Sequence, residues 1–209
     1  MAIVDAYLGL GSRYSYLAST QLDRIALENG ATVNWIPIFS EELRPPDRDP
    51  FKGPPVSGQY EWFYRKQDAE AWADYYKVPF REPMGRLTFD PRLLVRAALA
   101  AGELKKRVAM MKRLFGAVFV DDRNEIDVTT CINCAIDVGL DRNAFRRAFQ
   151  DPMIEAERHA ILERARARGV FGVPFFFTGP RAYFGNDRLV LLEHHLKKGA
   201  ATVQTARPS

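Results

Sequence analysis

The sequence predicts one α/β fold in which a strand-helix-strand unit and a strand-strand-helix unit are separated by a large all-helical insertion. Three segments of different periodicity lead to this prediction. Residues 3–39 show strand, helix and strand patterns, residues 60–168 have helical spacing almost throughout, and residues 173–198 return to short strands and one helix. The predicted order is therefore βαβ, an insertion of about 110 residues, and ββα.

The N-terminal βαβ unit carries clear turn signals. Residues 3–10 alternate and then become apolar, which predicts a strand that stops at the tight turn Gly9-Leu10-Gly11. Residues 14–29 place apolar side chains at helical spacing and end at Asn29-Gly30, which is typical of a helix C-cap. A second strand over residues 32–39 follows directly, so we expect a right-handed parallel crossover.

The predicted insertion consists of a proline-rich loop and six helices. Residues 40–60 combine proline, glycine and charge, which predicts an irregular loop, and loops of this length often line a binding site. The helical patterns that follow cover residues 59–76, 91–103, 104–120, 128–138, 141–149 and 152–168.

The strand pattern returns after Gly169. Residues 173–177 and 181–184 predict two strands joined by a turn at Thr178-Gly179-Pro180. A last helix begins at Asn186 or Asp187 and extends to about residue 198.

This order divides the chain into three parts. Residues 1–40 and 169–200 are predicted to form one discontinuous α/β domain, and residues 41–168 form the loop and helical insertion domain. Residues 201–209 are predicted to be a flexible tail.

The composition excludes several classes of protein. Of 209 residues, 47% are hydrophobic, which is enough for a full core, so disorder is not expected. No apolar run approaches the roughly 20 residues that span a bilayer, and the N-terminus lacks the basic start of an export signal; we therefore expect a cytoplasmic protein without a membrane partner. The net charge of +4 is spread over helix faces, which predicts no nucleic-acid partner but is compatible with a small anionic substrate.

Cys131 and Cys134 have the spacing of a redox pair, because two thiols at a helix N-terminus can cycle through a disulfide. They fall within a helical pattern, however, far from the strand-turn-helix junction that such chemistry uses. We favour two buried thiols that pack as small hydrophobic groups, with the redox pair as the alternative. No metal site is predicted, since no second ligand pair lies at suitable spacing.

Ser12 lies between the first strand and the first helix. A helix N-terminus presents unpaired backbone N–H groups and a partial positive charge, so a hydroxyl there is well placed to stabilise an anion. The alternative is that Ser12 only caps the helix.

Several short segments, in order along residues 3–198, together resemble one family. They are Ser12-Arg13-Tyr14-Ser15-Tyr16-Leu17-Ala18, Tyr64 with Asp68 and Trp72-Ala73, Phe171-Gly172-Val173-Pro174, and Phe184-Gly185-Asn186-Asp187-Arg188-Leu189. Each segment alone is weak evidence for a family. The ordered set resembles 2-hydroxychromene-2-carboxylate isomerases and kappa-class glutathione transferases, within the group that also holds DsbA-type oxidoreductases.

The resemblance implies a thioredoxin-like fold and glutathione as cofactor. It implies that the Ser12 hydroxyl is the catalytic group, which donates a hydrogen bond to the glutathione sulfur and stabilises the thiolate. It also implies a cis bond between Val173 and Pro174, with the Val173 N–H and C=O paired with the cysteinyl backbone of glutathione.

Further cofactor-binding positions follow from the same resemblance. Asn186 and Asp187 are expected near the γ-glutamyl end of glutathione, although both residues also suit the start of a helix. Arg188 matches a family position, with an exposed surface cation as the alternative. Gly53 lies in the proline-rich loop at a position where family members often have asparagine.

Two further departures from the family pattern occur at Arg13, where the family has proline, and at Glu61, where it has lysine. We hypothesise that the Arg13 guanidinium pairs with a carboxylate of substrate or cofactor; the alternative is an exposed arginine on the first helical turn. Tyr64 is a candidate substrate-binding residue in an aromatic-rich helix, whose rings either pack in a core or interface or stack on a planar substrate.

The implied activity is cis/trans isomerisation of a small aromatic carboxylate. Thiolate addition to a conjugated double bond gives a single bond that rotates, and elimination then releases the isomer and regenerates glutathione. The resemblance also implies a homodimer. Three alternatives stay open: a glutathione transferase or peroxidase, a redox protein that uses the two cysteines, and a thioredoxin-fold protein without glutathione activity.

Overall fold

The computed structural model describes residues 1–43 and 62–205, with side chains in the second range up to residue 199. The strands are β1 (Ala2–Leu8), β2 (Ala31–Pro37), β3 (Thr88–Phe89), β4 (Glu125–Ile126), β5 (Phe175–Thr178) and β6 (Arg181–Phe184). The helices are α1 (Arg13–Asn29), α2 (Trp62–Tyr76), α3 (Pro91–Glu103), α4 (Arg107–Phe119), α5 (Val128–Asp137), α6 (Arg142–Gln150), α7 (Met153–Ala167) and α8 (Leu189–Thr205). Short 3₁₀ helices occur at Ser40–Leu43 and Asn186–Arg188.

The order of the elements agrees with the prediction, but several ends differ. β1 stops at Leu8 because the next four residues form a turn, in which the Ser12 N–H donates to the Gly9 carbonyl at 2.9 Å. The helix expected from residue 104 begins at Arg107, because Lys105 has a left-handed φ of 60° and separates α3 from α4. The two-residue strands β3 and β4 were not predicted, since two residues show no period.

The last helix extends further than predicted. α8 continues to Thr205, and residues 206–209 lie outside the described residues. No proline interrupts this stretch before Pro208, so nothing in the backbone chemistry stops the helix at residue 198.

The four-stranded sheet brings the end of β1 and the start of β5 to one edge. Its order is β2-β1-β5-β6, with β1 parallel to β2 and antiparallel to β5, and β5 antiparallel to β6. Tyr7, near the end of β1, is paired with Phe175 at the start of β5. The turn that leads from β1 into Ser12 and the residues that lead through Pro174 into β5 therefore meet at the same edge of the sheet.

Gly9 lets these two loops touch. A Cβ atom at Gly9 would lie 2.8 Å from Val173 Cγ2 and 3.6 Å from Ser12 Cβ. A carbon separation of 2.8 Å is shorter than van der Waals contact, so only glycine fits between the two loops without a shift. Ser12 and Val173 are thus neighbours across this glycine, although they are 161 residues apart in sequence.

Aromatic packing joins the helical insertion to α1. Tyr16 stacks on Phe119 with ring centroids 5.1 Å apart and on Phe80 at 6.3 Å, and Phe115 lies 6.1 Å away. The Tyr16 hydroxyl also donates a hydrogen bond to the Pro79 carbonyl. Side chains from the sheet and from the insertion share one hydrophobic core, so the insertion holds the start of α1 in place.

Replacing Gly9 by alanine tests the contact between the two loops. The added methyl group would lie 2.8 Å from Val173 Cγ2, so we expect a loss of about 1–3 kcal/mol in the free energy of unfolding. Val173→Ala removes the opposing methyl, so the double variant should lose about 1 kcal/mol less than the sum of the two single variants. Urea denaturation measures all three.

Gly116→Ala in α4 is the matched control. The nearest atom to its added methyl is 3.5 Å away, and alanine favours a helix interior over glycine, so its stability should stay the same or rise. Strictly additive losses for Gly9→Ala and Val173→Ala would show that the loops do not touch as described.

Candidate active site

Ser12 is the N-cap of α1, with φ −95° and ψ 120°. Its Oγ accepts a hydrogen bond from the Ser15 N–H at 3.2 Å. The Ser15 hydroxyl oxygen in turn accepts from the buried N–H of Gly9 at 3.1 Å, which fixes the turn before the helix. The capping role is therefore confirmed. A capping hydroxyl uses only an oxygen lone pair, and no described residue accepts its proton, so that proton is available to a ligand.

The Val173–Pro174 peptide bond is cis, as the resemblance implied. The Pro174 carbonyl accepts the Gly185 N–H at 2.9 Å, which extends the pairing between β5 and β6 toward this loop. Among the described residues, neither the N–H nor the C=O of Val173 has a hydrogen-bond partner. A half-buried backbone donor and acceptor are thus left unpaired directly beside the Ser12 turn.

Asn186 is buried, with 2% of its surface exposed, and it does not cap a helix by its side chain. Its Oδ1 instead accepts a hydrogen bond from the Tyr76 hydroxyl, at the end of α2, at 3.1 Å. Its Nδ2 is buried and has no partner among the described residues. Burial raises the pKa of Tyr76 to about 12, so the hydroxyl keeps its proton and donates. Sequence reasoning missed Tyr76, because nothing in the aromatic pattern separates it from its neighbours.

Asp187 and Arg188 are exposed and lie near each other, with Asp187 Oδ2 3.2 Å from Arg188 Nη1. They follow Gly185, whose φ of 103° lies in the left-handed region that favours glycine. A side chain at Gly185 would also come within 2.6 Å of Asp187 Oδ1. The last helix begins after this 3₁₀ segment, so both charged side chains are presented to solvent ahead of α8.

The expectation of an exposed arginine at position 13 is wrong, and pairing with a ligand carboxylate stays a hypothesis for Arg13. Its Nη1 lies 2.7 Å from Glu82 Oε2, and only 9% of the Arg13 side chain and 6% of the Glu82 side chain are exposed. Burial lowers the pKa of the Arg13 guanidinium, although Glu82 opposes this change, and arginine stays charged at neutral pH. A buried cation needs an internal partner, and Glu82 supplies it.

Glu82 gave no signal in the sequence. It lies in an irregular segment between α2 and β3, in the run Arg81-Glu82-Pro83, where a carboxylate is ordinarily exposed. Only the packing of this segment against α1 identifies its role.

A second pair of charged groups, Arg65 and Asp68 of α2, lies beside the start of α1. Burial and the neighbouring Asp68 carboxylate raise the pKa of the Tyr14 phenol well above its usual range, although Arg65 and Arg13 act in the opposite direction. Arg65 and Asp68 both belong to α2. The first turn of α1 is therefore surrounded by two cations and two anions.

Tyr64 is exposed over 49% of its surface, as are its neighbours Trp62 and Phe63 to a similar degree. The core interpretation is therefore wrong for these three rings. Within the same helix, Trp72 and Tyr76 pack together at a centroid distance of 5.3 Å. The aromatic residues of α2 thus include an exposed N-terminal group and the packed pair of Trp72 and Tyr76, while Tyr75 is exposed over 71% of its surface.

Cys131 and Cys134 are free thiols, fully buried within α5. Burial raises the pKa of Cys131 to about 12 and also raises the pKa of Cys134. The interpretation as core thiols is confirmed, and the redox alternative lacks the exposed, acidic thiol that it requires. No cluster of metal-ligating side chains occurs in the described part of the chain.

Gly53 and Glu61 lie outside the described residues. Within the described ranges, no helix combines the length and the apolar character needed to cross a bilayer.

Comparison with known proteins gives relatives over nearly the whole chain. A 2-hydroxychromene-2-carboxylate isomerase of Sphingobium xenophagum is 28% identical over 202 residues, which cover 92% of this chain and 97% of the relative. One of Pseudomonas putida is 27% identical over 202 residues, which cover 91% of this chain and 92% of the relative. The resemblance inferred from the ordered segments is confirmed.

Comparison with solved structures supports the same resemblance. A 2-hydroxychromene-2-carboxylate isomerase superimposes with a TM-score of 0.83 at 25% identity and covers 99% of this chain and 100% of its own. The cytosolic disulfide reductase DsbM from Pseudomonas aeruginosa, solved with GSH, has a TM-score of 0.65 at 18% identity, covers 97% of this chain and 98% of its own, and shows the shared fold. The model of the DSBA-like thioredoxin domain matches residues 3–197, and the chain belongs to this family.

Proposed function

We propose that this protein is a glutathione-dependent cis/trans isomerase of the 2-hydroxychromene-2-carboxylate type, acting on a small conjugated aromatic carboxylate. The names of its relatives support the reaction class. One observation carries the proposal: the available proton of Ser12 and the unpaired backbone of Val173 meet across Gly9 at one edge of the sheet.

Ser12 has the chemistry to stabilise a thiolate. A free thiol has a pKa near 8.5, so only about a tenth or less is ionised near neutral pH. Lowering that pKa by about two units takes roughly 2.7 kcal/mol. One hydrogen bond to a charged sulfur contributes about 1.5–3 kcal/mol and the helix N-terminus about 0.3–1 kcal/mol. The hydroxyl and the helix together are therefore sufficient without a histidine.

The Val173 backbone fits a peptide ligand. An N–H and a C=O of one residue can pair with the backbone of a cysteinyl residue like a very short added strand. This pairing would orient the ligand so that its thiol lies over the Ser12 turn, because Val173 and Ser12 are neighbours across Gly9.

The 186–188 segment is proposed to bind the γ-glutamyl end. The exposed Asp187 carboxylate is suited to an ammonium group and the Arg188 guanidinium to a carboxylate. Asn186 is buried and bonded to Tyr76, so we assign it the task of holding this segment in position rather than direct contact. Gly53 stays a candidate cofactor-binding residue.

Bound glutathione would supply a nucleophilic thiol that adds reversibly to the conjugated double bond, so that rotation about the resulting single bond precedes elimination. Ser12 would hold the negative charge on sulfur before addition and after elimination, and its own oxygen forms no covalent bond. The exposed ring of Tyr64 is a surface on which a planar substrate can stack. The homodimer and the cytoplasmic location remain part of this proposal.

Replacing Ser12 by alanine should raise the pKa of the bound glutathione thiol by about one to two units, because the hydrogen bond to sulfur is lost. Calorimetric titration measures glutathione binding, and the ultraviolet absorbance of the thiolate as a function of pH measures its ionisation. The acid limb of the isomerase pH profile should move upward by the same amount.

Two further variants separate the hydroxyl from the helix cap. Ser12→Gly removes the hydroxyl but costs the cap only a few tenths of a kcal/mol, so it should behave like Ser12→Ala. Thr20→Ala removes another α1 hydroxyl, which donates to the Leu17 carbonyl at 2.7 Å, and should leave the thiol pKa unchanged. Absence of glutathione binding to the parent at millimolar ligand, or an unchanged thiol pKa in both Ser12 variants, would refute the proposal.

The buried cysteines provide the test against redox chemistry. Because Cys131 and Cys134 are buried with raised pKa values, the native protein should react with iodoacetamide far more slowly at neutral pH than the urea-unfolded protein. The Cys131→Ala/Cys134→Ala double variant should keep its isomerase activity. Fast alkylation of the native protein together with loss of activity would favour the redox alternative.

A further inference from the structure

We propose that Arg13 and Glu82 are positioning residues that set the ionisation of a thiol held at Ser12, with Arg13 favouring the thiolate and Glu82 opposing it. The inference rests on the proposed function for its biological meaning. Its physical content, an electrostatic influence of two buried charges on the N-cap position, can be tested without glutathione.

The cation of the pair belongs to the residue next to the candidate thiol site. Arg13 is the first residue of α1 and follows Ser12 in the chain. Its Nη1 and Glu82 Oε2 are 2.7 Å apart, and both side chains are over nine-tenths buried. The two groups thus form a close, buried ion pair at the start of the helix.

Stability does not account for this pair. Removing two charges from water costs several kcal/mol per ion, and attraction repays this cost only when further hydrogen bonds satisfy the remaining atoms. Glu82 Oε1 accepts the Met84 N–H at 3.1 Å, whereas Arg13 Nη1 and Glu82 Oε2 have only each other among the described residues. Replacing a buried ion pair by apolar side chains of similar volume is often neutral or stabilising, so stability alone does not explain this pair, and an electrostatic effect on the neighbouring Ser12 does.

The structure fixes Glu82 relative to α1. Three residues before Glu82 in the chain, the Pro79 carbonyl accepts a hydrogen bond from the Tyr16 hydroxyl. Closer to Glu82, the Arg81 N–H donates to the Phe119 carbonyl at 2.7 Å. The segment is therefore held to α1 and α4 at two points, and the Glu82 carboxylate itself accepts the Met84 N–H at 3.1 Å.

Other charged and titratable groups also face the first turn of α1. They are Arg65 and Asp68 on α2 and Tyr14 on α1 itself, while Asp187 and Arg188 lie on the 3₁₀ segment ahead of α8, which also packs against α1. Asp187 and Arg188 are exposed over about half of their surface, and Arg65 is also exposed, so solvent screens them. Arg13 and Glu82 are over nine-tenths buried, so their influence is screened least.

The signs of the two effects are opposite. A nearby cation stabilises a thiolate and lowers the thiol pKa, whereas a nearby anion destabilises it and raises the pKa. While both charges are present they largely cancel. Neutralising Glu82 leaves the cation alone, and neutralising Arg13 leaves the anion alone. A unit charge about 10 Å away in a partly buried site corresponds to a shift of about half to one pKa unit.

The test uses a thiol that belongs to the protein. In a Ser12→Cys background, the pKa of the introduced thiol is obtained from its alkylation rate as a function of pH. Because the two native cysteines are buried, they contribute little background. Adding Glu82→Gln should lower this pKa by about half to one unit, and adding Arg13→Gln should raise it by a similar amount. The Arg13→Gln/Glu82→Gln combination should return it close to the starting value.

Glu157→Gln is the matched control. Glu157 also forms an Arg–Glu pair at 2.7 Å, with Arg107, which lies beside Gly102 at the far end of α3. The opposite end of α3, at Pro91, contacts Gly11, so this pair lies about 16 Å away along the helix. Its neutralisation should leave the pKa of the introduced thiol unchanged.

Shifts of equal sign for Glu82→Gln and Arg13→Gln, or no shift in either, would overturn the inference. If Arg13→Gln fails to fold because Glu82 is left unpaired, Glu82→Gln and the combination decide the outcome alone. The same variants with Ser12 present should shift the acid limb of the isomerase profile in the same directions. Opposite shifts of the introduced thiol without glutathione binding to the parent would uphold the inference and refute the proposed function.

Discussion

The close approach of Gly9 to Val173 is the constraint on which the site depends. The 2.8 Å between a Cβ built at Gly9 and Val173 Cγ2 means that the two loops can only meet where one of them has no side chain. Sheet pairing brings the loops to the same edge, since Tyr7 in β1 is paired with Phe175 in β5. The missing side chain then lets the Ser12 turn and the Val173 backbone lie side by side.

Around this contact, the insertion acts as a support for the start of α1. The ring of Tyr16 packs against insertion phenylalanines, including Phe119, and its hydroxyl is bonded to the backbone at Pro79. Arg13, one turn earlier on the same helix, is paired with the buried carboxylate of Glu82. A helix terminus held on several sides can present a hydroxyl with little reorganisation, which is what stabilisation of an anion requires.

Local sequence chemistry was enough to predict the longer elements but not the contacts between distant segments. The turn before Ser12 and the strand start at Pro174 each have a signature that covers only a few consecutive residues. Helical spacing predicted every α-helix of the described insertion. Glu82 has no such signature, because its burial depends on how an irregular segment packs against α1. The same holds for the bond between Tyr76 and Asn186, which joins residues far apart in the chain.

The most direct test is a crystal structure of the protein with glutathione bound. The account predicts that the glutathione sulfur accepts a hydrogen bond from the Ser12 hydroxyl while the cysteinyl N–H and C=O pair with the Val173 backbone. A sulfur atom out of hydrogen-bonding distance of Ser12, or a ligand that lies away from the edge where β1 ends and β5 begins, would contradict it.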